Sequence, residues 1–178
     1  MDNRLSLYVP SFEELWYREK LLNDPKTMSY NRGYDLTFPG YDKETGCIAF
    51  PKEEWQSWYN YFIGNEPERF YAYLLRNEDN TFIGEVNLHK NETFRWYEMG
   101  IVIEAAHRGR NYAEEGLSLL LDYGFNTLKA DAVHNSFEVE REAALRTHKA
   151  AGFTENSRDD VMVGLLITRM QWEELHKI

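Results

Sequence analysis

The stretch from Tyr97 to Gly116 constrains this chain more than any other. It opens with Glu98-Met-Gly-Ile-Val-Ile103, a largely apolar run of strand length. A short basic loop containing a glycine follows, Glu104-Ala-Ala-His-Arg-Gly-Arg. A helical pattern then begins near Asn111 and runs to about Leu128, with Leu117, Leu120, Leu121 and Phe125 at helical spacing. The first amides of a helix have no partner within it, and the helix dipole adds partial positive charge at that end. A strand, a glycine loop and a helix start in this order therefore suit a phosphate or a similar anion. Arg108 and Arg110 add local positive charge in a chain that is otherwise acidic. The same layout also serves as a plain tight connection, so the loop alone leaves both readings open.

Around this segment the pattern is that of a mixed α/β domain. Arg4 to Val9 alternates like a first strand. Ser11-Phe-Glu-Glu reads as a helix start that runs to about Asn23, before Asp24-Pro25. Thr27 to Phe50 is rich in Gly, Tyr and Asp and is expected to be irregular, and Pro51-Lys-Glu-Glu-Trp opens a second helix. Phe70–Leu75, Thr81–His89 and Phe94–Ile103 follow as three strands of a meander. After the long helix come a short strand at Ala130–Val133 and a helix at Glu140–Ala150 stopped by Gly152. A final strand pair has Val161–Met170 as its clearer member. This order places one sheet in one domain over residues 1–178. Residues 1–65 supply a strand, two helices and a long loop, and residues 66–178 supply the sheet and the glycine-loop helix.

Composition narrows the function classes. The formal net charge of −10 argues against general nucleic-acid binding, which needs clustered Lys and Arg, and is compatible with a cationic partner. No segment approaches the apolar length of a transmembrane helix, and the first residues lack the apolar core of a signal peptide. No membrane or nucleic-acid partner is therefore expected. The single cysteine, Cys47, forms no internal disulfide, and no metal-type cysteine spacing exists, which fits a cytoplasmic setting without a metal. Aromatic residues are concentrated in the N-terminal half at Trp16-Tyr17, Trp55, Trp58-Tyr59, Tyr61-Phe62 and Phe70-Tyr71. They suit a bulky core or the lining of a cleft.

The run from Tyr97 to Gly116 resembles, without a gap, the acetyl-CoA-binding segment of the GNAT N-acetyltransferases. It is most similar to the branch that acetylates ribosomal-protein N-termini. In that branch the strand reads roughly Glu-Ile-Gly-Tyr-Trp-Leu and the loop roughly Arg-Gly-Lys-Gly-Tyr-Ala. This chain has Glu98-Met-Gly-Ile-Val-Ile103 and Arg108-Gly-Arg-Asn-Tyr-Ala113. Ile83-Gly-Glu-Val-Asn-Leu88 is similar to the family's preceding strand, and Ala144 to Gly152-Phe153 to its last helix. The N-terminal helices match in layout only.

The resemblance implies a mostly antiparallel twisted sheet flanked by helices, with two strands splayed to form a slot for acetyl-CoA. It implies transfer of the acetyl group to a primary amine of a small molecule or peptide by direct attack, in a monomer or homodimer. Ile101 and Ile103 would pair through their backbones with the pantetheine arm and the acetyl carbonyl. Arg108, Gly109, Arg110, Asn111, Tyr112 and Ala113 would cradle the pyrophosphate. Asn111 departs from the family's usual Gly. Asn tolerates the left-handed region best after Gly, so the loop keeps its shape if dihedral freedom is what the position requires.

Two residues are candidates for proton chemistry. Glu98 lies in an otherwise apolar strand, where desolvation is expected to raise its pKa and suit it as base; the other reading is a structural ion pair. His148 stands where the family often has a Tyr that protonates the leaving thiolate. It serves either as that acid or as a group near the helix C-terminus. Arg141 replaces a common Asn at the start of the same helix, and it either meets a CoA phosphate or lies on a solvated face. Asn111, Arg141 and His148 also keep open a different class of function. That alternative is a GNAT-fold acyl-CoA-binding module with little or no turnover, acting as a sensor or partner surface. Asp35, Asp42, Glu44, Glu53 and Glu54 are expected to form an acidic rim for a cationic acceptor.

Overall fold

A computed structural model describes residues 4–177 of the chain. The first three residues, read above for targeting signals, lie outside the described residues, as does Ile178. The N-terminal strand β1 is Leu5–Tyr8. Ser11 then starts a turn of 3-10 helix that passes into α1, Trp16–Leu22. Glu14 returns a carboxylate to the Ser11 amide at 2.8 Å, the reciprocal capping arrangement that fixes a helix entry. Helix α2 is Lys52–Phe62, with Pro51 at its cap and Glu53 and Glu54 in its first turn.

The meander follows as β2 (Arg69–Arg76), β3 (Thr81–Asn91) and β4 (Trp96–Ile103). Helix α3 is Tyr112–Asp122 and continues as a π-helical turn over Tyr123–Thr127. Then come β5 (Ala132–Glu138), α4 (Glu142–Ala150), β6 (Thr154–Arg158) and β7 (Met162–Thr168). A last helix, α5, spans Arg169–Leu175. Strand β5 extends five residues beyond the Val133 expected from the sequence, since the polar residues of His134-Asn-Ser136 interrupt its apolar signal. Strand β7 stops at Thr168, whose hydroxyl caps α5 by accepting from the Gln171 amide; the sequence reading had continued the strand to Met170.

The described strands form one seven-stranded sheet in the order β1-β2-β3-β4-β5-β7-β6. Neighbours are antiparallel except β4 and β5, which run parallel. That parallel pairing covers two residue pairs, Tyr97↔Val133 and Glu98↔His134, and then ends. From there the strands diverge into a wedge-shaped opening in the middle of the sheet.

One face of the sheet carries α3, with Leu117, Leu120, Leu121 and Phe125 packed on Leu74, Val86, Leu88, Tyr97 and Met99. The opposite face carries α1 and α2 over a largely aromatic layer containing Tyr17, Tyr71, Tyr73, Trp55 and Phe50. The N-terminal aromatics are therefore mainly core, while Trp16 and Tyr61 stay exposed. Full burial of rings of this size contributes on the order of 2–3 kcal/mol each, which suits a layer holding two short helices to a sheet.

Candidate active site

The wedge between β4 and β5 opens into a cleft of about 1150 Å³ that reaches both faces of the sheet. Its walls come from β3, β4 and β5, from the start of α3, from α4 and from the loop after α1.

One arm ends at the glycine loop. Ile101, Ile103, Arg108, Gly109, Asn111, Tyr112 and Ala113 all line the cleft, whereas Arg110 is exposed and does not. Gly109 has φ +76° and Asn111 φ +61°, so two left-handed residues turn the chain from the strand into the helix. A β-carbon at Gly109 would meet nothing within 4 Å, so the space over that residue is open. The Glu115 amide donates to the Asn111 carbonyl at 3.3 Å, which leaves the amides of Tyr112, Ala113 and Glu114 ahead of the first intrahelical bond.

The Arg108 guanidinium is committed elsewhere. It donates to the carbonyls of Ile103 at 3.1 Å, Lys26 at 3.2 Å and Thr27. Its side chain thus ties the loop to the segment after α1, and the backbone is what the loop offers to an anion.

The other arm lies on the α1 face. Tyr30, Asn31 and Phe38 of the long loop face Glu85 and Asn87 of β3, which pair in register with Val102 and Gly100 of β4. Glu85 is buried, at 5% exposure. It accepts from Arg18 of α1 at 2.6 Å and from the Tyr71 hydroxyl. The Arg18 guanidinium lies 4.6 Å from the Trp58 ring centroid, so aromatic contacts and the carboxylate share its charge. Glu85 and Asn87 were not singled out in the sequence. Their signal was the polar i, i+2 alternation inside an apolar strand, which puts both on one face.

Glu98 lies on this same face but is not among the residues lining the cleft. It accepts from Trp96 Nε1 at 2.6 Å, His134 Nδ1 at 2.7 Å and Asn91 Nδ2 at 3.1 Å. Burial pushes its carboxyl up, but the hydrogen bonds from His134, Trp96 and Asn91 outweigh it and hold the group below the ordinary value. The expected upward shift from desolvation is therefore corrected. Glu98 and His134 are also the last register pair before the strands part, and Trp96 stacks on the His134 ring at 4.5 Å. Together they pin the apex of the wedge.

His148 does line the cleft, at 3% exposure. Its Nδ1 lies 2.8 Å from the Ala144 carbonyl and its Nε2 lies 2.9 Å from Asn135 Nδ2. Burial lowers its pKa from the ordinary histidine value. Asn135 stands on the divergent part of β5 and lines the cleft.

Arg141 is not on a solvated face. It lines the cleft, pairs with Glu138 at 2.6 Å and lies 4.8 Å over the Tyr30 ring. Glu138 is likewise buried by this pairing.

The acidic residues expected at the rim do not line the cleft. Asp35 pairs with Lys43, Asp42 accepts from the Glu44 amide and the Thr45 hydroxyl, and Glu44, Glu53 and Glu54 are exposed elsewhere.

The sequence pattern of the acetyltransferase (GNAT) domain matches residues 5–154. This chain belongs to the GNAT acetyltransferase family. It is an acetyl-CoA-dependent N-acetyltransferase, with acetyl-CoA as cosubstrate. The open cradle at Gly109, the free helix-start amides and the parted strands fit that molecule.

Among characterised proteins, the spermidine N(1)-acetyltransferase of Vibrio cholerae is 25% identical over 156 residues, 87% of this chain and 82% of the relative. The crystal structure of a Vibrio cholerae spermidine N-acetyltransferase with CoA and spermine superposes with a TM-score of 0.76. It has 21% identity, over 97% of this chain and 99% of that one. A GNAT-family acetyltransferase from Bacillus anthracis gives 0.71 at 18% identity, over 94% and 96%. The comparisons therefore carry the family and fold, and they point to spermidine acetyltransferases among the relatives and not specifically to the ribosomal-protein branch. Among the described residues no His, Cys, Asp and Glu group is arranged to hold a metal, and no helix is long and apolar enough to cross a membrane.

Proposed function

We propose that the chain acetylates a primary amine of a small cationic, polyamine-like molecule by direct attack of that amine on acetyl-CoA. The observation that carries this reading is the wedge between β4 and β5. It joins a phosphate-cradling arm on one face to an acceptor arm on the other. Two substrates entering from opposite faces meet at the splayed strands, and holding them there supplies most of what a thioester and an amine need to react. Attack by an amine requires no covalent enzyme intermediate.

In the acceptor arm Glu85 is the carboxylate that lines the cleft. It receives a hydrogen bond from the acceptor nitrogen and orients its lone pair toward the acetyl carbon. The Arg18 and Tyr71 donors hold it in place. Glu98 supports the reaction from the apex of the wedge. The aromatic groups Tyr30 and Phe38 suit the alkyl stem and charge of a polyamine. The spermidine acetyltransferase relatives support this acceptor class. The acidic residues of the long loop do not, because they lie off the cleft; attraction of a cation rests on the net charge of −10.

The test is thiol release from acetyl-CoA with cationic, neutral and anionic amines at low and high salt. Cationic amines are expected to have the highest kcat/KM and to lose it as salt rises. A salt-insensitive preference for neutral or anionic amines refutes the acceptor class. Acetyl-CoA binding without turnover on any amine refutes the enzyme reading in favour of the binding module.

A further inference from the structure

We propose that the side-chain amide of Asn135 meets the sulfur of acetyl-CoA as the thioester breaks, and that His148 acts on the reaction by fixing that amide. The proposal rests on the acetyl-transfer reading above. It starts from the fork. Pairing between β4 and β5 ends at Glu98↔His134, so Asn135 is the first residue of β5 beyond the last pair. His134 turns to Glu98 on the acceptor face, and the alternation of a strand sends Asn135 to the other face, where α4 lies. Asn135 also lines the cleft. A thioester seated in the wedge with its phosphates on the glycine loop brings its sulfur to this point.

The hydrogen bonds fix how the pair is wired. A carbonyl only accepts, so the 2.8 Å contact of His148 Nδ1 with Ala144 requires the proton on Nδ1. The neutral ring then presents a lone pair at Nε2, and the 2.9 Å contact with Asn135 is an amide N–H donated to that lone pair. A primary amide has two N–H donors. One is spent on His148, which also sets the plane of the group, and the second remains for a ligand.

Protonating His148 would place two donors face to face and leave a charge against Phe137 and Phe153, whose rings lie 5.2 and 5.1 Å away. The partners of the ring from β5, from the segment after α4 and from its own helix are Asn135, Phe137, Phe153 and Ala144. None of them titrates. The lowered histidine pKa agrees with this wiring.

In the reaction the acceptor nitrogen bonds to the acetyl carbon, the carbon–sulfur bond breaks, and its electron pair goes to sulfur. The acceptor ammonium gives one proton to solvent in the open cleft before it attacks, the bonded nitrogen gives a second after attack, and the sulfur recovers one from solvent. Asn135 donates a hydrogen bond to the sulfur as charge builds on it and transfers no proton. Asn135 is thus a catalytic residue in this proposal, and His148 is a positioning residue.

The experiment measures thiol release from acetyl-CoA with spermidine as acceptor. It compares wild type, Asn135→Ala, His148→Ala, the double variant and His148→Gln, each with its melting temperature and acetyl-CoA Kd. Both single alanine variants are expected to lose roughly 10²-fold in kcat, the scale for a lost transition-state donor, with a smaller change in acetyl-CoA KM. The double variant is expected to be no slower than either single one, because the two residues act as one unit. His148→Gln has a side-chain oxygen that accepts the same N–H, and it is expected to recover most of kcat. It also keeps the test open if His148→Ala fails to fold. The kcat–pH profiles of wild type and His148→Gln should coincide above about pH 6.5, and only wild type should lose kcat as the ring takes up a proton below it. Near-normal kcat in Asn135→Ala overturns the proposal. So does a wild-type kcat that falls as pH rises through an inflection absent in His148→Gln, because a group active only when protonated would make His148 itself the acid. If wild type binds acetyl-CoA yet releases no thiol with any amine, the acetyl-transfer reading fails and takes this proposal with it.

Discussion

Asn111 provides a direct test of the cradle. It sits at φ +61°, ψ +16°, immediately before α3, where the family usually has Gly. A left-handed residue with a β-carbon costs roughly 1–2 kcal/mol, and a β-branched one is a marked outlier there. Asn escapes much of that cost and Gly nearly all of it. Asn111→Val therefore has two ways to respond. If it keeps the native turn, stability falls by about 1–2 kcal/mol, which in a chain of this size lowers Tm by roughly 2–8 °C. If the turn relaxes instead, restoring it on binding costs the same free energy, and acetyl-CoA affinity falls about 5- to 30-fold. Asn111→Gly is expected to bind acetyl-CoA within about twofold of wild type, with a modest stability change from the freer unfolded chain. Chemical denaturation and calorimetric titration on the three proteins separate the outcomes. The reasoning is refuted if Asn111→Val matches wild type in both measurements, because the left-handed turn would then be neither strained nor part of the cradle.

Three further outcomes are expected. Arg108→Ala removes donors to Ile103, Lys26 and Thr27, so it should lower stability by about 1–3 kcal/mol while acetyl-CoA affinity changes less than about fivefold; lost affinity at unchanged Tm would mean that the guanidinium meets phosphate. Glu85→Gln should lower kcat roughly 10²-fold, the scale for a lost orienting contact, and Glu98→Gln by less than about tenfold; the reverse order in kcat measurements would move the carboxylate that serves the acceptor nitrogen to Glu98. Burial lowers the folded pKa of His148, so the unfolded chain takes up that proton more readily. The stability linked to His148 is then complete above about pH 6.5 and is lost as pH falls through the lowered value. Denaturation curves from pH 7 to 5 should show a shallower loss for His148→Gln than for wild type, and equal slopes would contradict the burial argument.

Much of the fold was legible in the sequence because it is written in local terms. Period-two runs marked the meander, the leucine spacing marked α3, and Gly109 with Asn111 marked the turn between strand and helix. These signals lie within a few residues of one another, so one chain segment suffices to read them. Strand β5 was partly legible and ended too early, since His134 and Asn135 look like loop residues until their partners are known. Helix α5 was hidden because its capping Thr168 closes an apolar strand with no break in between.

The roles of the polar residues were decided by contacts across 13 to 82 positions of sequence. The Glu98–His134 bond spans 36 residues, Arg18–Glu85 spans 67, Arg108 to the Lys26 carbonyl spans 82, and Asn135–His148 spans 13. A carboxylate in an apolar strand reads as desolvated when seen alone, and three donors from elsewhere reversed the shift expected for Glu98. An arginine beside a glycine loop reads as a phosphate ligand, and carbonyls from the segment after α1 engaged Arg108 instead. Hydrophobic period is a property of the chain, and it determined which faces are buried. A pKa or a hydrogen-bond partner is a property of the space around a group, and only the packing of α1, α4 and the parted strands created that space.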